Sequence, residues 1–164
     1  MENLAFLIEY HYWAHHKVLQ QLSGVPAGDW NKGTGGSFSS LRALYQHLVE
    51  ADYRWMQRWK GVPFAEIPKH FVVEDYPSLN AIMRPQLDEM VSVAGQFLSA
   101  DAGRPVHFIT GKGLKVTQPF WQTLYQVVNH GTYHRGQVTD MLRILNHQPV
   151  TTDIFLFFNE KSIL

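Results

Sequence analysis

The chain of 164 residues contains no cysteine. That one absence excludes disulfides, thiolate metal sites and cysteine nucleophiles together, and it fits a reducing compartment. Charge is scarce and balanced. Lys+Arg and Asp+Glu are both 14, and charged residues make up 17% of the chain. Without a basic excess, no broad nucleic-acid surface is expected. Long apolar runs are missing too; none approaches the roughly 20 residues needed to cross a bilayer. The short apolar run 4–8 is flanked by Glu2 and Glu9 and follows no basic stretch, which does not suit a secretory signal. These absences predict a soluble cytoplasmic protein without membrane or nucleic-acid partners. An apolar fraction of 45% is too high for a disordered chain. The length suits one domain spanning residues 1–164.

Several catalytic signatures are absent as well. There is no His-Glu-x-x-His, and no acidic residue is followed three positions later by histidine. The zincin and di-iron carboxylate patterns are thereby excluded. Gly111-Lys112-Gly113 lacks the spacing of a phosphate loop, and Gly33-Thr34-Gly35-Gly36 fails the dinucleotide fingerprint. No Gly-x-Ser-x-Gly elbow occurs.

What the chain does have is nine histidines on a helical framework. Apolar residues and histidines recur at spacings of three and four over 3–22, where Leu7, Ile8, His11, His15, Val18 and Leu22 share a face. Gly24 and Pro26 stop this helix, and 24–40 reads as a loop. A second helix begins near 38–41, capped by Ser37, Ser39 or Ser40, with Leu41, Leu44, His47 and Leu48 in its stripe. It ends at Gly61-Val62-Pro63. The connection 61–77 is long enough to cross the end of a bundle. A third helix starts after Pro77 with Ser78 as N-cap, and Pro85 should kink or split its first turns. Residues 106–109 and 114–117 flank a Thr-Gly-Lys-Gly turn and predict a β-hairpin. Pro119 opens a fourth helix that runs to about Asn146. A short helix over 152–159 follows. The expected architecture is all-α: a four-helix bundle with a small β-hairpin before the last long helix and a short C-terminal helix.

His130 and His134 are one turn apart in the stripe of the fourth helix, so both imidazoles project inward from one face. Such a pair can chelate a single ion. His47 holds the same kind of position on the second helix. Three neutral imidazoles leave at least one coordination position open, as in catalytic sites. His11 and His15 offer the same spacing on the first helix, so a set built from helices one and four satisfies the same arithmetic. Spacing alone leaves both sets standing.

The segments Gly36-Ser37-Phe38-Ser39-Ser40-Leu41, His47 with Asp52 and Trp55, and Asn129-His130-Gly131-Thr132-Tyr133-His134-Arg135-Gly136-Gln137 resemble the DinB/YfiT-like superfamily of metal-dependent helical bundles. Tyr10-His11-Tyr12-Trp13-Ala14-His15 and Pro149-Val150-Thr151-Thr152-Asp153 resemble it too, so the likeness covers nearly the whole chain. The resemblance implies an up-down-down-up bundle in which His47, His130 and His134 hold one divalent ion, nickel or zinc. Family members with known activity include thiol-dependent S-transferases and isomerases. The implied function is a metal-dependent transferase joining a low-molecular-weight thiol to a small electrophile. A metal-dependent hydrolase and a non-catalytic metal-binding stress-response bundle are the alternatives. His11 and His15 stand where the family often has asparagine, which makes them candidates for a fourth ligand, a donor beside the ligands or a substrate contact.

Other residues carry weaker expectations. Asp52 lies about 140° around the helix from His47 and is no natural co-ligand of it; it can reach a neighbouring helix beside the ligands, and a solvated surface charge is at least as good a reading. Gln137 can share the face of His134 and line a pocket. Arg135 falls off that face and is expected in a surface or interface ion pair. Gly131 and Gly136 suggest close helix packing. Trp13, Trp55, Trp59 and Trp121 are expected in core or interface. The apolar run 154–158 cannot all be hidden on one helix face. Part of it should cover the bundle and part should meet another copy, as a homodimer.

Overall fold

The computed structural model describes residues 4–162. Four long helices, α1 (Ala5–Leu22), α2 (Leu41–Trp59), α3 (Tyr76–Ala100) and α4 (Phe120–Ile144), are joined by a hairpin of β1 (Pro105–Ile109) and β2 (Lys115–Pro119) and followed by α5 (Ile154–Ser162). The four-helix bundle with hairpin and terminal helix is the architecture the periodicity predicts. Asn3, the expected start of the first helix, lies outside the described residues.

The helix ends follow from local chemistry. Ser40 has extended backbone, and its side chain accepts from the Ala43 N–H to cap α2. Gly61 takes a φ of 86° after the last turn of α2. Its N–H donates to the Arg58 carbonyl and the Val62 N–H donates to Gln57, closing a Schellman motif. Asn146 does the same for α4 with a φ of 61°. The cap of α3 is Asp75 rather than Ser78. Ser78 is the third helical residue and completes a reciprocal capping box with Asp75. Proline fits a first helical turn, so Pro77 lies inside α3 instead of preceding it. Pro85 does not split the helix, which is assigned without a break from Tyr76 to Ala100.

β1 and β2 pair antiparallel with Val106 opposite Gln118 and Phe108 opposite Val116. Their Val106 and Phe108 side chains cover the end of the bundle, where Phe108 meets Trp55 edge-on at 5.2 Å. The connection after α2 is irregular, as its prolines imply. It is held down by α2, where Gln46 bonds Phe71 and Val73 and the Arg42 Nε donates to the Val73 carbonyl.

Two apolar clusters fill the interior. One joins residues 18–22 of α1, 41–49 of α2, 79–87 of α3 and 138–142 of α4. The other joins 7–14 of α1, Met56 and Trp59 of α2, 90–94 of α3 and 120–128 of α4. The end of α1 therefore meets the starts of α2 and α3 and the end of α4, which is an up-down-down-up order. Helix α1 packs along α3 and α4, and α2 packs along the same two, so α1 and α2 occupy opposite corners. Between the clusters, the middle turns carry His11, His15, Asp52, His130, His134 and Arg135. This polar layer across an otherwise apolar core is what the fold positions.

Candidate metal centre

His47 projects from α2 toward the adjacent α4, which presents His130 and His134 from successive turns. His47 Nε2 lies 3.2 Å from His130 Nε2, and His134 Nε2 lies 3.0 Å from the same atom. One ligand atom from each of the three residues falls within 4.8 Å of the others. Two nitrogens bound tetrahedrally at about 2.0–2.1 Å are roughly 3.3 Å apart. The three imidazoles therefore fit an ion with little movement.

Their protonation suits the same task. Burial, with help from neighbouring His134, pushes His130 down to about 4. Burial and His134 also lower His47. Both rings are therefore neutral at neutral pH, as ligation requires. His134 is 5% exposed, and its Nδ1 lies 2.6 Å from Gln137 Oε1. Because that amide oxygen only accepts, the proton sits on Nδ1 and the Nε2 lone pair points at the other two rings. Gln137 thus lies where the sequence places it, on the face of His134. His47 and His130 are half-buried, so one side of the group faces solvent. Phe38, from the loop before α2, packs on His47 at 5.2 Å and His134 at 5.5 Å between ring centroids. Exposed Tyr133 packs edge-on to His134 at 5.1 Å. Phe38 carried no expectation of its own. The sequence places it only in the resembling segment 36–41, an aromatic residue in a glycine- and serine-rich stretch two positions before the cap.

His11 and His15 do not join this group. They form a separate one with Asp52, and α2 rather than α4 supplies the third donor. Asp52 points away from His47 toward α1 and is buried, so it is not the solvated charge that its position in the sequence also allows. All three residues are buried, at 0%, 1% and 1% exposure. Arg135 corrects the sequence reading. It is 3% exposed, not at the surface, and donates to the Tyr10 hydroxyl and to Thr132 Oγ1. A four-residue helical spacing places Arg135 on the face of Gly131, and Gly131 has no side chain to fill the space that the guanidinium takes. A Cβ on Gly131 would lie 2.9 Å from Arg135 Nη1 and 2.9 Å from His11 Cε1. The close approach expected of Gly131 is therefore real, whereas Gly136 has nothing within 4 Å of a Cβ and needs another account than packing.

The tryptophans expected in core or interface occupy different settings. Buried Trp59 donates to Thr123 Oγ1, Trp55 packs on Phe108 and Trp13 on Phe157, while Trp121 is 37% exposed. His70 is exposed in the connection. A separate groove follows the outer side of α4, between Thr132, Thr139 and Arg143 and the segment 146–153. None of the three clustered histidines lines it. No helix among the described residues is long and apolar enough to cross a membrane.

Known proteins share this arrangement of elements. The family model described as "DinB family" matches residues 1–161. "Protein DinB" of Bacillus subtilis (strain 168) is 26% identical, with 99% of each chain covered. A DinB-like protein from Bacillus cereus ATCC 10987 superposes with a TM-score of 0.69 at 15% identity, over 92% of this chain and 99% of that one.

Proposed function

The chain belongs to the DinB family, and from that premise we propose that it binds one divalent metal ion through His47, His130 and His134 and uses it in a thiol-dependent transferase reaction. The observation that carries the metal assignment is the convergence of three Nε2 atoms at 3.0 and 3.2 Å, with two of the rings held neutral by burial. Nickel and zinc both suit a set of three imidazole donors.

A divalent ion held there would lower the pKa of a bound thiol or water. The remaining work falls to the chain itself. Gln137 fixes the tautomer and orientation of His134. Phe38 covers one side of the histidine group and limits water there. The solvent-facing edges of His47 and His130 leave room for a small molecule to approach. The chain has no cysteine, so a sulfur nucleophile would come from a cosubstrate such as a low-molecular-weight thiol. The exposed Ile154, Phe155 and Phe158 on α5, beside buried Phe157, support pairing of two copies through that helix.

The test is an electrophile screen with the metal-loaded protein and several low-molecular-weight thiols, following thiol loss. Metal-dependent thiol consumption that His134→Ala abolishes is expected. Loss of electrophile without thiol consumption would make the protein a hydrolase. No turnover of either kind, with metal bound, would leave a non-catalytic metal-binding bundle.

A further inference from the structure

The second polar group lies at the centre of the bundle and the proposed function makes no use of it. His11 Nε2 is 3.7 Å from Asp52 Oδ2, too far for a hydrogen bond. The His11 and His15 rings meet at 4.4 Å between centroids, inclined by 60°. Both nitrogens of His11, Nε2 of His15 and both oxygens of Asp52 are fully buried without a hydrogen-bond partner in the protein. A buried carboxylate left without donors is among the costliest arrangements a core can hold. Arg135 interacts with Asp52 electrostatically but makes no hydrogen bond to it: its Nη2 donates to Tyr10 and Thr132, and its Nε and Nη1 are themselves without partners.

We infer that His11, His15 and Asp52 form a second divalent-cation site, distinct from the three-histidine group. One donor atom from each lies within 4.8 Å of the other two, so a small inward movement of the side chains closes the set on one ion. Two imidazole nitrogens and a carboxylate select a first-row divalent transition ion. Asp52 adds an oxygen donor that the three-histidine group lacks, and its second oxygen is available as a further ligand. The donors come from α1 and α2, which sit on opposite corners of the bundle. An ion here would therefore tie together the two helices on the bundle's diagonal. Arg135 and His130 lie within electrostatic reach of His15. The guanidinium charge, and an ion already held by the three histidines, make this the weaker of the two sites.

The experiment counts metal. Chelator-treated protein is titrated with Zn²⁺ and with Co²⁺ by calorimetry, and bound metal per chain is measured after dialysis. Wild type should take up two ions per chain, the second more weakly. Asp52→Asn, which keeps the side-chain shape, and His15→Ala should each take up one. His134→Ala should keep one, and Asp52→Asn with His134→Ala should take up none. Circular dichroism of the metal-free variants confirms that each is folded, and His15→Ala serves if Asp52→Asn is not. Saturation of wild type at one ion overturns the inference, as does an Asp52→Asn and His15→Ala pair that both retain two. Folded Asp52→Asn that binds no metal at all also overturns it, since Asp52 would then act on the three-histidine group. The readings fail separately: unchanged uptake by His134→Ala refutes the three-histidine site and leaves the second site to be judged on Asp52 and His15.

Discussion

Replacing Gly131 and Gly136 in turn by alanine tests whether the polar layer is as tightly assembled as it looks. In a helix interior, alanine is favoured over glycine by about 1 kcal/mol. At exposed Gly136 the new methyl meets nothing within 4 Å, so the gain should be kept. At Gly131 the methyl would sit 2.9 Å from Arg135 Nη1, 2.9 Å from His11 Cε1 and 3.0 Å from His11 Nδ1. Arg135 is the flexible neighbour, but Tyr10 and Thr132 hold it. The His11 ring is fully buried against His15, so moving it away from the new methyl disturbs that contact. Overpacking of this kind costs about 1–3 kcal/mol, which equals or exceeds the propensity gain. Relative to wild type, Gly136→Ala should be more stable by about 1 kcal/mol and Gly131→Ala less stable by up to about 2 kcal/mol. For a chain of this size, 1 kcal/mol moves Tm by about 2–4 °C. Urea and thermal unfolding of the metal-free proteins would measure both. If Gly131→Ala gains as much as Gly136→Ala, the close approach of α1 to α4 through His11 is wrong.

Three further outcomes follow from the same structure. The folded pKa values of His47, His130 and His15 lie below the ordinary histidine value, so the unfolded chain binds protons first as pH falls. Metal-free protein should accordingly be most stable above about pH 6.5 and lose stability between there and about pH 4, which chemical denaturation across that range would show. Gln137→Ala frees the His134 tautomer and should weaken metal binding by about 10–100-fold with little change in metal-free stability, as calorimetry and melting would show. Light scattering at micromolar concentration should find a dimer that Phe155→Ser converts to monomer; a monomeric wild type would refute the pairing through α5.

The long helices were legible because each writes its buried stripe at a spacing of three and four, and the hairpin because a glycine turn separates two short β-prone runs. The cap of α3 was not, because Asp75 and Ser78 bond each other and either residue type can cap a helix. His47, His130 and His134 could be singled out by face and spacing, but not preferred over His11 and His15. That choice depends on which helices become neighbours. The segment 23–40 carries the chain from α1 across to α2, so that α1 and α2 lie on a diagonal while α2 and α4 are side by side, a long-range property that periodicity does not record. Arg135 was misplaced because arginine on the flank of a stripe is usually at the surface. Here the empty position at Gly131, one turn earlier, admits its guanidinium to the interior.

The central claim is that three histidines from α2 and α4 hold one divalent ion. Its most direct test is calorimetric titration of metal-free protein with Ni²⁺ and Zn²⁺, comparing wild type with His134→Ala and with His70→Ala as an exposed control. The tightest-binding equivalent should weaken at least about tenfold in His134→Ala, since even the loss of a residue that only orients a ligand costs about that much, and His70→Ala should bind as wild type does. A folded His134→Ala that retains the tightest equivalent at wild-type affinity would contradict the account.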